Sequence, residues 1–275
     1  MSNHPYRQIG VAGSGAIATG LAALASVQAE SVTVLGRSES SCQRATAAVE
    51  KASSRIEGAD PERVSVTTEV ADMGECDLIV EAVVEDPQVK AKLLASLGGA
   101  AAHADLATTT SSLSVTALGL ESGHPERLFG LHVFNPVPVM ELVEVILPES
   151  CEDGLRERAL EWCHGIGKTA VVVPDTAGFV VNRLLFPYLF DAVRLKESSG
   201  LDAKAIDTCM GLGVAHPMGP LALLDLVGLD VAIAIGEALN ADSGNPDHLA
   251  PASVQELADA GKLGRKTGSG FYEYS

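Results

Sequence analysis

His132 and Glu144 are the residues whose types and spacing first suggest chemistry. His132 lies near the end of the short apolar run 128–133, and Glu144 lies inside the next, 142–146. Pro136 and Pro138 between the runs exclude a continuous helix and force an extended, turned path. Two adjacent strands can bring residues at this separation within hydrogen-bond reach. A base held in place by a third group is what proton transfer requires. A histidine on an apolar strand is in many proteins only a satisfied core residue, so the pair needs a second signal before it reads as catalytic.

That signal stands near the start of the chain. Gly13-Ser-Gly15-Ala16-Ile17-Ala18 follows the apolar run 8–12 and opens an Ala/Leu-rich helical stretch reaching about residue 28. A strand, a glycine turn and a helix in this order make a dinucleotide-binding fingerprint. Gly13 permits the tight turn, Gly15 lets the backbone approach a pyrophosphate, and the amides of the helix start at Ala16 and Ile17 face the phosphates. Ala18 stands at the third position and still allows close packing of helix on strand. The competing reading is a structural glycine turn, which its N-terminal position disfavours.

The second strand, 31–35, is closed by Gly36-Arg37-Ser38. An NAD site carries Asp or Glu about 20 residues after the glycines, on the ribose 2′-hydroxyl. Here Arg37 and Ser38 stand there instead. The carboxylate that would repel a 2′-phosphate is absent, and a guanidinium that can grip one is present. NADP(H) is therefore the expected cofactor, with NAD(H) as a possible one. Stacking of Arg37 on adenine, or its exposure to solvent, is the alternative that remains open.

Apolar runs and turn residues outline the rest of the scaffold. A helix over about 40–56 follows the second strand, and strands are predicted over 64–67, 77–82 and 106–110, with a helix over 87–97 that carries Pro in its first turn. Strands alternating with helices predict a parallel sheet covered on both faces. Beyond residue 128 the pattern changes to strands 128–133, 142–146 and 169–173, with a helix over about 151–165. Pro174-Asp-Thr-Ala-Gly178 is the best linker. After it the chain reads as helices over 179–198, 202–212, 220–239 and 253–260. Two domains are expected: an α/β dinucleotide-binding domain over 1–174 and an all-α domain over 175–275.

The formal net charge of −17 argues against non-specific binding to nucleic acid or to anionic membranes. An anionic ligand must then be held by local cations and backbone amides against the overall field. The five cysteines form no CxxC pair, which reads as reduced thiols without metal spacing. The opening residues show no basic segment followed by an apolar one, and no apolar run approaches the roughly 18 residues of a membrane span. A cytoplasmic protein without a leader is the expectation.

With these residues placed, the chain resembles the 3-hydroxyacyl-CoA dehydrogenases, especially the short bacterial 3-hydroxybutyryl-CoA type. The resemblance runs nearly end to end. It is carried by Asp77-Leu-Ile-Val-Glu-Ala-Val-Val-Glu85, Ser111-Ser-Leu-Ser114, Gly130-Leu-His-Val-Phe-Asn-Pro-Val-Pro-Val-Met140 and Asp175-Thr-Ala-Gly-Phe-Val-Val-Asn-Arg183. His216-Pro-Met-Gly-Pro220, Asp225 with Gly228-Leu-Asp230, and Gly264-Arg-Lys-Thr-Gly-Ser-Gly-Phe-Tyr272 extend it to the C-terminus. The resemblance implies a Rossmann-like domain followed by a helical domain that commonly forms homodimers. It implies hydride exchange between nicotinamide and C3 of a 3-hydroxyacyl or 3-oxoacyl thioester. His132 is then the general acid/base, oriented by Glu144, and Ser111 and Asn182 hydrogen-bond the reacting oxygens. Ser111 follows a predicted strand at the end of the sheet where ligands sit, and Asn182 opens a second-domain helix that can reach across a cleft. Both could instead cap local turns. Glu85 and Lys90 match positions that the family uses near the nicotinamide, or form a surface pair at a helix start. Arg183 reads as a partner for an acidic neighbour, and the Phe271–Tyr272 segment as packing on the helical domain.

Two departures bear on the substrate. The Lys-rich hairpin that helps such proteins hold CoA is shortened here to the segment around 50–61, where Arg44, Lys51 and Arg55 are the cations, with Lys51 as a candidate substrate contact. Thr109 replaces the Asn common before the paired serines. An acyl group on a carrier protein, or a small hydroxy acid, is therefore kept as an alternative to CoA. A non-catalytic, crystallin-like relative that only binds nucleotide is a third reading, disfavoured by the complete His132, Glu144, Ser111 and Asn182 set.

Overall fold

A computed structural model describes residues 4–274; residues 1–3, part of the opening read for a leader, and residue 275 lie outside the described residues. The backbone divides into two compact units, with the boundary between Asp175 and Thr176.

The first unit is built on β1 (Gln8–Ala12), α1 (Ala16–Ala25), β2 (Ser31–Leu35), α2 (Glu39–Ser53), β3 (Val64–Thr67), β4 (Leu78–Glu81), α3 (Pro87–Ala100), β5 (Asp105–Thr108) and α4 (Val115–Ser122). It continues through β6 (Leu128–Val133), β7 (Leu142–Ile146), α5 (Leu155–Gly165) and β8 (Thr169–Val173). The strands form a single sheet in the order β3-β2-β1-β4-β5-β6-β7-β8. The first six give the doubly wound order of dinucleotide-binding sheets, with the strand order reversing between β1 and β4, where ligands bind. Leu78 and Val80 of β4 join the core cluster beneath α1, α2 and α5, and the alternate residue Ile79 is buried outside that cluster. On that other side α3 and α4 pack against each other.

The sheet is not wholly parallel. β6 and β7 pair antiparallel, whereas β7 and β8 are parallel to one another. The physical reason is the 134–141 connection, which is too short for the crossover of a dozen or more residues that a parallel neighbour needs. The helix α4 also lies in a segment where the sequence predicts none. Its N-cap Ser114 accepts from the Ala117 amide at 3.2 Å. Asp175 accepts from the amides of Val115 and Thr116 at 3.0 and 2.8 Å.

The second unit contains α6 (Val181–Ser199), α7 (Ala203–Gly213), α8 (Pro220–Val227), α9 (Leu229–Ser243) and α10 (Ala252–Asp259). The single helix expected over 220–239 is two. Gly228 separates them at φ +102°, a conformation that a side chain rarely adopts. Leu221, Leu224, Leu229 and Leu239 are fully buried beside Phe186 and Phe190, so these apolar stretches supply this unit's own core. The glycine-rich C-terminal segment is tied to that core through Asp225, which is fully buried and accepts from the Phe271 and Tyr272 amides and the Tyr274 hydroxyl, each at 2.9 Å. Arg183 pairs with Asp242 at 2.8 Å. Among the described residues no helix is long and apolar enough to cross a membrane.

Candidate active site

The antiparallel junction of β6 and β7 sets His132 directly opposite Glu144 in the strand register. The imidazole Nδ1 lies 2.6 Å from the Glu144 carboxylate Oε2, and the two residues are only 5% and 1% exposed. A carboxylate this deeply buried is costly unless it is paired, and the Nδ1–H donated by His132 supplies that pairing. With Nδ1 protonated and donating, the lone pair of the neutral ring sits on Nε2. The Phe134 ring packs against the imidazole at 4.5 Å between centroids. Strand pairing, carboxylate and aromatic neighbour thus hold one orientation of the ring, as a proton-transfer group requires.

Lys168, which the sequence did not bring to notice, secures the connection that follows His132. Its ammonium donates to the backbone carbonyls of Val137 and Met140 at 2.5 and 2.7 Å. Burial pushes this ammonium's pKa down, and the nearby Glu141 carboxylate opposes that shift.

A cleft of about 720 Å³ opens at the carboxyl ends of β1, β2 and β4. Gly13, Gly15, Ala16 and Ile17 line it, with Gly36, Arg37, Arg44, Thr68, Glu85 and Thr109. Gly13 sits at φ +141°, and a Cβ there would collide with the Ala82 carbonyl oxygen. A Cβ on Gly15 would meet nothing within 4 Å, so its bare backbone faces open space. The helix α1 starts at this point with no side chain capping its first amides, which leaves those donors for an anion. The donor set therefore fits a dinucleotide pyrophosphate. Arg37 and Arg44 both line the cleft beyond β2. Arg44 is a residue that the sequence reading did not connect with the nucleotide; its position near the start of α2 was the available signal.

Glu85 gathers the loop that follows β5. Its Oε1 accepts from the Thr110 hydroxyl at 2.6 Å, the Ser111 amide at 2.8 Å, and the Ser112 amide and hydroxyl at 3.2 Å. Burial alone would push its carboxyl pKa up, but the Lys90 ammonium and the hydrogen bonds from Thr110 and Ser111 outweigh it and hold the group below its ordinary value. Lys90 lies 3.3 Å from Glu85 and is fully buried, so the two are not a surface pair.

The remaining predicted site residues occupy varied places. Ala18 is buried in α1, behind the cleft surface. Ser38 caps α2, accepting from the Ser41 amide at 3.3 Å while its own amide donates to Ser41 Oγ at 3.0 Å; neither it, Ala18 nor Lys90 is among the cleft-lining residues. Lys51 is exposed in the last turn of α2. Asn182 is buried in the first turn of α6.

Residues 8–176 match the model of the 3-hydroxyacyl-CoA dehydrogenase NAD-binding domain, and residues 178–274 match that of the C-terminal domain of the same family. A probable 3-hydroxybutyryl-CoA dehydrogenase of Deinococcus radiodurans is 37% identical over 277 residues, covering 97% of this chain and 100% of the relative. The human mitochondrial hydroxyacyl-coenzyme A dehydrogenase is 36% identical over 286 residues, covering 98% and 91%. Among solved structures, an (S)-3-hydroxybutyryl-CoA dehydrogenase from Ralstonia eutropha superposes with a TM-score of 0.92 at 33% identity, covering 98% of this chain and 99% of that one.

Proposed function

The chain belongs to the 3-hydroxyacyl-CoA dehydrogenase family, and from that premise we propose that it oxidises short 3-hydroxyacyl-CoA thioesters, or reduces their 3-oxoacyl forms, with NADP(H) as redox partner and His132 as general acid/base. At the coarser level it is a nicotinamide-dependent oxidoreductase of CH–OH groups. When bound, the nicotinamide supplies the acceptor or donor of hydride at substrate C3.

The chain's own residues manage the proton. On oxidation, Nε2 of His132 takes the proton of the C3 hydroxyl, and the Glu144 carboxylate on Nδ1 stabilises the imidazolium. On reduction the imidazolium returns a proton to the C3 oxygen. Ser111 and Asn182 are assigned hydrogen bonds to substrate oxygens, by resemblance to the family. Gly13, Gly15, Ala16 and Ile17 would receive the pyrophosphate. Support for NADP(H) comes from Arg37 and Arg44, two guanidiniums lining the cleft beyond β2 with no carboxylate in the stretch that closes that strand.

The observation that carries the reading is the buried 2.6 Å contact between His132 and Glu144, fixed by strand register. His132→Ala should lower turnover on the order of 10²–10⁴-fold while cofactor affinity stays the same. Near-normal turnover of that variant with a 3-oxoacyl-CoA refutes the assignment.

A further inference from the structure

β4 runs Leu78-Ile79-Val80 through the core and then places a carboxylate, Glu81, in the next fully buried position. Its partner Lys90 on α3 is also 0% exposed. A buried ion pair is often no more stabilising than apolar residues of the same volume. Stability alone therefore gives no reason for an ion pair at the carboxyl end of a central strand. The contacts do.

Glu81 Oε1 accepts from the Val83 amide at 2.7 Å and from Lys90 Nζ at 2.9 Å. Its Oε2 accepts from Lys90 Nζ at 3.1 Å and from the Thr108 hydroxyl at 2.6 Å. Thr108 is its neighbour in the β4–β5 register, so the carboxylate is clamped between two strands and a helix. Lys90, fixed in this way, also forms an ion pair with Glu85 Oε2 at 3.3 Å. Glu85 is the one member of the trio that reaches the cleft, and its other oxygen gathers Thr110, Ser111 and Ser112. Two carboxylates share one ammonium, with the buried one holding the cation for the exposed one.

We propose that Glu81 is a positioning residue for the reaction: it fixes Lys90 so that Glu85 is presented to the 110–112 loop and the Ser111 hydroxyl is set in place. The role presupposes that Ser111 bonds the substrate, as the proposed function has it. Glu81 itself is fully buried and is not among the residues that line the cleft.

The isosteric change Glu81→Gln keeps the volume and removes the charge that holds Lys90. Its expected kinetic effect is a fall in kcat of about tenfold, the size of one lost charge-assisted hydrogen bond. In a Ser111→Ala background the same change should lower kcat by less than about twofold, because residues acting through one another are not additive. Hydrogen exchange over residues 109–114 should quicken in Glu81→Gln, while β2 and β3 exchange at the unaltered rate. If Glu81→Gln does not fold, Thr108→Val removes only the 2.6 Å bond and enters the same comparisons. Unchanged exchange over 109–114 overturns the positioning role, as do fully additive losses when Ser111→Ala is itself deleterious. A silent Ser111→Ala sinks the reading of Ser111 as a substrate contact, and the exchange result then decides the role of Glu81 on its own.

Discussion

Replacing Glu144 by Gln perturbs the proposed proton-transfer pair while changing almost nothing in shape. The carbonyl oxygen of the introduced amide can still accept the Nδ1–H of His132, so the ring can keep its orientation. What disappears is the negative charge that balances the imidazolium. Across 2.6 Å at an effective dielectric near 20 that attraction is about 6 kcal/mol. Keeping two charged groups dry offsets several kcal/mol of it, which leaves about 3 kcal/mol. A loss of this size corresponds to a fall in kcat of roughly a hundredfold. The assay is steady-state reduction of acetoacetyl-CoA at saturating reduced cofactor, with cofactor affinity followed separately by the fluorescence of the bound reduced form. Cofactor affinity should stay within about twofold, since Glu144 does not line the nucleotide cleft. A Glu144→Gln enzyme that folds and retains kcat within about twofold of the parent refutes the reasoning, because the carboxylate would then be only a structural acceptor.

Two glycines in the same turn should respond differently to Ala. Gly13→Ala adds a Cβ against the Ala82 carbonyl at φ +141°, so the melting temperature should fall with a strain on the order of 1–3 kcal/mol. Gly15→Ala meets nothing within 4 Å and should leave the melting temperature unchanged while weakening cofactor binding by about tenfold or more; equal affinity in parent and variant would count against a pyrophosphate at this turn. The Glu85 carboxyl is held below its ordinary value of 4.5 in the folded protein, so its contribution is fully present above that pH and is lost as the pH falls through the folded value. Glu85→Gln keeps the shape of the side chain and removes the titrating carboxyl. The stability difference between parent and variant, read from urea unfolding, should therefore be widest near neutral pH and narrow below about pH 4.5. A difference that does not change with pH would show that the Glu85 carboxyl is not held below its ordinary value.

The strands that carry the site were legible because their signals are local. Apolar runs bounded by turn residues gave β1, β2, β3, β6, β7 and β8 their observed limits. That His132 and Glu144 could meet followed from their places on two successive apolar runs, twelve residues apart. The antiparallel turn of the sheet at that point was not drawn from the same fact, although it is what sets the pair in register. The helix α4 escaped notice because its start is stabilised from 59 and 60 positions away, by Asp175 on the Thr116 and Val115 amides. The continuous apolar pattern over 220–239 hid the break at Gly228, a backbone requirement that periodicity does not register. Arg44 reaches the cleft only through the placement of α2 beside β2. Glu81 read as one residue in a strand motif, and its work as a clamp depends on Thr108 and Lys90 arriving from two other elements.

Substrate and cofactor are decided together by the catalytic efficiency of the unaltered protein on acetoacetyl-CoA and on the same acyl group attached to a carrier protein, each with NADPH and with NADH. The expected result is turnover of the CoA thioester with a clear advantage for NADPH. An advantage for NADH would contradict the roles given to Arg37 and Arg44. Absence of turnover with the CoA thioester and either cofactor would contradict the proposed function itself.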